Sequence, residues 1–227
     1  MSFTLDKIVP WGRSYAEYLS MFNLSDVDLS KRIVGCGDGP AGFNAEFSQR
    51  GGQIVSVDPI YCFDTAQLSS RIEETYETVM AQTRQNQGNF LWHTIANMDE
   101  LGKIRMSAMQ MFLADYEIGK SQGRYIAGEL PVLPISNQAF ELAISSHFLF
   151  LYSEHLSADF HKQALLEMLR VAAEVRVFPL LTLNTEPSPY LTEIMAYPEG
   201  LGFSVDIQPV AYEFQRGANR MLVIKTL

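Results

Sequence analysis

The stretch Arg32-Ile-Val-Gly-Cys-Gly-Asp-Gly-Pro-Ala-Gly-Phe43, followed by Gln53-Ile-Val-Ser-Val-Asp58, constrains the fold more than any other part of the chain. It reads as a buried strand, a glycine-rich turn, a helix and a second strand ending in a carboxylate. Gly35, Gly37 and Gly39 stand at alternate positions. Such spacing lets the backbone turn tightly and lets a ligand approach without meeting a Cβ. Pro40 suits a first helical turn, where its missing N–H costs nothing. Phe43 and Phe47, one turn apart, give that helix an inward face. Unpaired N–H groups at the helix start favour a ligand's negative or hydrogen-bonding groups. Asp58 follows Gly39 at close to the ~20-residue offset at which an acid meets a ribose hydroxyl in nucleoside-binding βαβ units. The expected ligand is built on adenosine.

A chain of 227 residues is an ordinary length for one doubly wound α/β domain. Its 47% hydrophobic content supports a packed core and argues against disorder. The net charge of −9 repels a phosphate backbone, so neither DNA nor RNA is expected as a partner. Two cysteines, Cys36 and Cys62, call for no disulfide scaffold, and the cytoplasm is the expected compartment. No apolar run reaches the ~20 residues of a membrane span, and the N-terminus has no secretory pattern. The scattered histidines and separated cysteines form no candidate metal site.

Hydrophobic spacing places the remaining elements. Ser14 is expected to cap a short helix through Tyr18 and Phe22, within an N-terminal segment of residues 1–29 that precedes a single domain over 30–227. Strand one is read at Arg32–Gly35, a helix from Pro40 to about Arg50, and strand two at Ile54–Val57. Asp64 opens a helix with Leu68, Ile72, Tyr76, Val79 and Thr83 on one face. Asn97 caps another, with Asp99 and Glu100 in its first turn and Leu101, Ala108, Phe112, Leu113 and Tyr116 as its inner stripe. Strand three is read at Tyr125–Ala127 and strand four at Glu141–Ser146. Ser157 starts a helix with Phe160, Ala164, Leu165, Met168, Leu169 and Ala172 inward, and His161 on its surface. Strand five is read at Glu174–Leu181, and a short helix at Tyr190–Tyr197. Phe203-x-Val205-x-Ile207 and Met221–Ile224 then predict an antiparallel hairpin.

Two later segments narrow the ligand. Tyr125-Ile-Ala-Gly-Glu-Leu-Pro-Val-Leu-Pro-Ile135 precedes Ala139-Phe-Glu-Leu-Ala-Ile-Ser-Ser-His147. With the glycine run, this pairing resembles class I S-adenosylmethionine-dependent methyltransferases, from about Ser30 to the C-terminus. The likeness is greatest to a bacterial branch with a Ser146-His-Phe-Leu-Phe-Leu-Tyr152 stretch and a closing Tyr212-Glu-Phe-Gln215. The resemblance implies a Rossmann-like, doubly wound, seven-stranded and mainly parallel sheet with a C-terminal antiparallel hairpin and helices on both faces. It implies S-adenosyl-L-methionine as cofactor and S-adenosyl-L-homocysteine as product. Two departures stand out: Ile33 occupies the position of an acid that meets the methionine amino group, and Glu129 replaces an aspartate on the adenine side.

The cofactor site so implied comprises Gly35, Cys36, Gly37, Gly39, Asp58, Pro59, Glu129, Leu130, Ser145 and Ser146. Asp58 would bind the ribose, Glu129 the adenine amino group, and Leu130 the ring through its backbone N–H. The N-terminal segment is expected to act as a lid, with Arg13 on a carboxylate of cofactor or substrate and Tyr15 beside it. As ordinary structure, the same aromatic segment would simply pack on the domain. His147, after a buried strand, is the candidate general base, against the alternative of a core histidine. Tyr152 and His155 are weaker candidates. No Asn-Pro-Pro-Tyr-like motif follows strand four, so the expected acceptor is a small molecule. Gly37-x-Gly39-x-x-Gly42 also fits a dinucleotide pattern, leaving an NAD(P)-binding oxidoreductase as one rival and a cofactor-binding module without turnover as another.

Overall fold

In the computed structural model, which describes residues 9–226, one seven-stranded sheet organises the chain. The strands are β1 (Arg32–Cys36), β2 (Gln53–Val57), β3 (Tyr125–Ile126), β4 (Phe140–Ser146), β5 (Ala172–Phe178), β6 (Ser204–Pro209) and β7 (Arg220–Lys225). Their order across the sheet is β3-β2-β1-β4-β5-β7-β6. The first five run parallel, while β7 is antiparallel to both β5 and β6. The fold is therefore the Rossmann-like mixed sheet with a terminal hairpin that the sequence implies. Pairing of Ile33 with Ile54 and Leu142, and of Val34 with Val55 and Ala143, sets the central register.

Alternation along the strands divides the core between two faces. Ile33, Leu142, Ile144, Met221 and Val223 share one cluster with Phe43 and Phe47. Val34, Cys36, Ala143, Val175, Leu222 and Ile224 share the other with Ala164, Leu165 and Met168. The first face carries helices α1 (Tyr15–Met21), α3 (Phe43–Gln49), α4 (Thr65–Gln85) and α5 (Met98–Ser121); the second carries α6 (Ala158–Val171) and α7 (Leu191–Gly200). Side chains of Ser14, Asp64, Asn97 and Ser157 accept from backbone N–H groups at the starts of α1, α4, α5 and α6, which is why these helices begin there.

The N-terminal segment is tied into this core. Tyr18, Met21 and Phe22 are fully buried with the strand residues of the first face. Helix α2 (Asp26–Leu29) is bound to β5 by Arg176, whose guanidinium donates to Asp28 at 2.9 Å, to Glu174 at 2.7 Å and to the Phe22 carbonyl at 2.7 Å. No break in packing separates residues 15–29 from the rest. The first eight residues of the expected lid lie outside the described residues.

Some boundaries differ from expectation, each for a physical reason. Helix α3 starts at Phe43 rather than Pro40, because its first backbone bond runs from the Glu46 amide to the Gly42 carbonyl at 3.1 Å, while the Gly42 amide is tied to the Arg13 carbonyl at 3.0 Å. Strand β5 runs from Ala172 and stops at Phe178, since Pro179 has no N–H for the ladder. Strand β3 is only two residues long, and the chain then leaves the sheet edge toward Glu129. His161 is fully buried rather than on a helix surface, with its ring nitrogens 2.8 Å from the Ser157 carbonyl and 3.1 Å from that of Leu149.

Candidate functional site

A cavity of about 380 Å³ opens over the C-terminal edge of the parallel strands. Open α/β sheets hold their ligands there. On the β2 side it is lined by Gly37, Asp38, Gly39, Asp58, Pro59, Glu129 and Leu130. The glycine loop hangs between two strands: the Gly37 amide donates to the Val57 carbonyl at 2.9 Å, and the Gly39 amide donates to Asp58 at 2.8 Å. Asp58 also accepts from the Ile60 amide at 3.0 Å. Burial pushes its carboxyl up to about 6 against the pull of those two amides. Gly37 and Gly39 both have positive φ, which only glycine adopts without strain. A Cβ built on Gly39 would meet nothing, so its outer face is open to a ligand.

Asp38 lies deeper in the same wall. It accepts from the Tyr18 hydroxyl at 2.9 Å and from the Ser56 hydroxyl at 2.6 Å. Burial pushes it, too, up to about 6, and the hydroxyls offset only part of that.

The other side of the cavity is formed by the chain after β4, by the β6–β7 connection and by residues 9–13. His147 stands between the two sides with φ of 53°, a left-handed conformation that costs a β-carbon residue energy and that recurs at functional sites. Its Nδ1 is 2.9 Å from the Ser146 hydroxyl, and its amide donates to the Phe178 carbonyl at 2.7 Å. Burial, then the nearby Arg13 and Arg105, push the imidazole well below the usual histidine range, so it is neutral. Glu17 accepts from Arg105 Nη1 at 2.7 Å, from the Tyr212 hydroxyl at 2.9 Å, and from both the amide and hydroxyl of Ser14 at 2.9 Å. Burial alone would raise the Glu17 carboxyl, but Arg105 and Arg13 outweigh it and hold it at about 2. Beyond the arginines the wall is apolar, with Trp11, Val79, Phe90, Leu151, Leu183 and Phe214. Gln215 is held by its donation to the Thr182 carbonyl at 2.7 Å.

No family model matches the chain. It is 31% identical over 215 residues to the uncharacterized protein MJ0045 of Methanocaldococcus jannaschii, covering 94% of each. The chain belongs to that protein's family. The relative is archaeal, and it lends no support to placing this chain in a bacterial branch. Among solved structures, magnesium protoporphyrin IX methyltransferase from Synechocystis PCC 6803 with bound SAH is 12% identical, with a TM-score of 0.48 over 89% of this chain and 77% of that one. A putative S-adenosyl-L-methionine-dependent methyltransferase from Methanococcus maripaludis is 10% identical, with a TM-score of 0.46 over 93% and 82%.

In this family member the residues singled out from sequence do not all meet. Gly37, Gly39, Asp58, Pro59, Glu129, Leu130, Ser146, His147 and Arg13 line the cavity. Gly35 does not: a Cβ there would strike the Asp38 carboxylate, so this glycine makes room for a side chain and not for a ligand. Cys36 turns its thiol into the core of the second face, where burial pushes its pKa up. Ser145 points to that face as well, since neighbours on a strand alternate, and its hydroxyl has no hydrogen-bond partner among the described residues. Tyr15 is turned away from the cavity, stacked on Phe43 at 5.5 Å with the Arg50 guanidinium over its ring. Tyr152 lines the cavity, and His155 does not.

Sequence reasoning missed Asp38, Glu17, Arg105 and the wall made by Phe214 and Gln215. Two signals were present. Asp38 is an acid inside the glycine loop itself. Arg105 lies four residues after Leu101 and three before Ala108, on the inner stripe of α5, where a charge needs a buried partner.

Proposed function

We propose that the protein is a methyltransferase that moves the methyl group of S-adenosylmethionine to a small-molecule acceptor. The observation that carries this reading is the β2 side of the cavity. There Asp58, tied to the Gly39 amide, stands beside Glu129 and an open glycine face, and this wall runs into an apolar lobe past His147. These residues fit the cofactor. Each Asp58 oxygen accepts one backbone N–H and keeps a second lone pair for a ribose hydroxyl. Glu129 and the Leu130 backbone suit the adenine edge. Asp38 offers, from within the loop, the negative charge for an amino group that Ile33 cannot supply.

When bound, the cofactor supplies an electrophilic methyl group on a positively charged sulfur. The chain's own work is alignment, exclusion of water and, where the acceptor must lose a proton, its removal. Alignment alone is worth about 7–11 kcal/mol of barrier. The apolar wall of Val79, Phe90 and Phe214 keeps water from the acceptor. His147 lines the cavity and is held neutral, so it keeps a ring lone pair for an acceptor's proton, while its lowered pKa makes it a weak base.

Thermal unfolding with ligand tests the reading. S-adenosylmethionine or S-adenosylhomocysteine at about a hundred times its dissociation constant stabilises the native state by ~2.7 kcal/mol. For a chain of this size the expected rise in Tm is on the order of 5–10 °C. NAD and NADP should raise it far less, and a larger rise with either would overturn the proposal. Incorporation of labelled methyl groups from the cofactor into small molecules of a cell extract separates an enzyme from a module that only binds.

A further inference from the structure

The cavity has an imbalance of charge at the end away from Asp58. Arg13 and Arg105 both line it, and Arg105 is fully buried. Glu17 is the one carboxylate that pairs with either of them among the described residues. Its oxygens are already engaged by Arg105, Tyr212 and Ser14. Arg13 has no acidic partner there, and its Nη1 donates to the Trp11 carbonyl at 2.7 Å. Arg13 Nε, Arg105 Nε and Arg105 Nη2 are buried with no hydrogen-bond partner among the described residues. A buried donor without a partner has lost its water and gained nothing in return. Burial and the neighbouring Arg105 together pull Arg13 down to about 10, so the two guanidiniums work against each other.

The shape of the unused donors indicates the missing group. Elsewhere in this molecule Arg32, Arg50 and Arg170 each present the Nε and Nη2 edge to one glutamate: Glu141, Glu46 and Glu167. On Arg105 that same edge meets no carboxylate, and the neighbouring Tyr212 hydroxyl is the polar group beside it. Paired N–H donors of this kind match the two oxygens of a carboxylate.

Position sets the two arginines at the end of the cavity away from Asp58. Asp58 and Glu129 mark the β2–β3 side of the sheet. Arg13 and Arg105 instead keep company with Tyr212, from the β6–β7 connection, and with His147, after β4. Across the sheet order these lie beyond β1, away from the adenosine end. The walls next to them are Trp11, Phe90 and Phe214, which suit a flat apolar body.

We infer that the methyl acceptor is a small, largely apolar or aromatic acid, whose carboxylate is held by Arg13 with Arg105 behind it. The inference rests on the methyltransferase reading and names its substrate class. Binding of the acid sets an anion beside Arg13 in the cavity and offsets the repulsion between the two cations. It also leaves the body of the molecule under His147.

Calorimetry on the full chain saturated with S-adenosylhomocysteine tests it. The probes are benzoate, phenylacetate and 3-phenylpropionate, their uncharged amides, and phenyl phosphate. At least one carboxylate should bind about tenfold or more tightly than its own amide, the difference expected for a charge-assisted pair. Arg13→Gln, which removes the charge and a side-chain bond reaching only the Trp11 carbonyl two residues away, should bring that ratio to about one. It should leave the affinity for S-adenosylhomocysteine within about threefold. Amides that bind as well as acids, or no binding by any probe, would overturn the inference while the cofactor reading stands. Tighter binding of phenyl phosphate than of every carboxylate would overturn the carboxylate. Loss of S-adenosylhomocysteine affinity by tenfold or more in Arg13→Gln, with the ratio unchanged, would assign the arginines to the cofactor. Failure of the unmodified chain to bind S-adenosylhomocysteine at all would remove the methyltransferase reading itself.

Discussion

Asp58 and Glu17 are both buried carboxylates beside one cavity, yet burial governs only the first. Asp58 is met by two backbone amides, and its carboxyl stays up at about 6. Glu17 is met by Arg105, with Arg13 nearby, and is held at about 2. The amides are fixed dipoles that repay part of the desolvation cost, whereas a guanidinium at 2.7 Å repays all of it. Asp58 thus has acceptor capacity and negative charge to give to a ligand, with Asp38 at its side in the same condition. Glu17 has neither to spare. The cavity therefore carries acids at the β2 end and two arginines against one saturated carboxylate at the other.

Breaking the saturated end should have the largest effect. Glu17→Ala leaves Arg105 buried without a partner, and removing one member of such a pair costs about 3–5 kcal/mol. The expected loss of Tm is roughly 6–20 °C. The pH dependence carries the sign. The folded pKa of Glu17 lies below its ordinary value of 4.5, so its contribution is fully present above that value and is lost as pH falls toward about 2. Denaturant unfolding of the parent and of Glu17→Gln at a series of pH values should show the parent losing more stability across that window. Equal losses would mean that the ion pair contributes nothing.

At the unsaturated end, the effect falls on ligand and less on fold. Asp58→Ala should weaken S-adenosylmethionine binding by about one to two decades, since charge-assisted bonds are worth roughly 1.5–3 kcal/mol. Raised carboxyls reverse the sign seen for Glu17. Asp58 and Asp38 hold protons in the fold that the unfolded chain has lost, so their contribution to stability falls as pH rises from 3.8 through about 6. A cationic ligand needs them ionised. Its affinity should climb as pH passes through about 6, by up to about tenfold per pH unit for each proton released. An affinity that is flat between pH 5 and 7, measured by calorimetry at roughly constant ionic strength, would show that neither carboxylate meets the ligand.

The difference between the two ends also governs what could be read from the sequence. The β2 end is local: Gly37, Gly39 and Asp58 fall within one βαβ unit, and turn geometry and helix spacing expose them. The caps Ser14, Asp64, Asn97 and Ser157 are local as well, because a capping side chain bonds its own helix. Alternation along β4 would have assigned Ser145 and Ser146 to opposite faces had it been applied to both. The other end is assembled from parts far apart in sequence. Glu17 and Arg105 are 88 residues apart, and Glu17 and Tyr212 are 195. No periodicity links them. Tyr15 and Tyr18 both stack on Phe43, and only the fold decides that the first lies under the Arg50 guanidinium while the hydroxyl of the second reaches Asp38 at the cavity.

The smallest effect is expected at Trp11, whose side chain lines the cavity without charge. Trp11 lies along the cavity with its ring tilted against Tyr76 at 5.9 Å, and its carbonyl takes the Arg13 donor. Its indole is half-buried and holds no charge, so Trp11→Ala removes area and leaves the electrostatics of both ends in place. Each Å² of apolar surface is worth about 25 cal/mol, and only the part of the ring that a bound cofactor covers counts. A contact of about 40 Å² gives about 1 kcal/mol, or roughly a fivefold faster release. Stopped-flow displacement of S-adenosylhomocysteine should therefore show an off-rate a few times higher in Trp11→Ala, with the pH dependence set by Asp58 and Asp38 unchanged. An off-rate equal to the parent's would return Trp11 to packing against Tyr76. A change in the pH dependence would mean that residues 9–13 also position the charged groups.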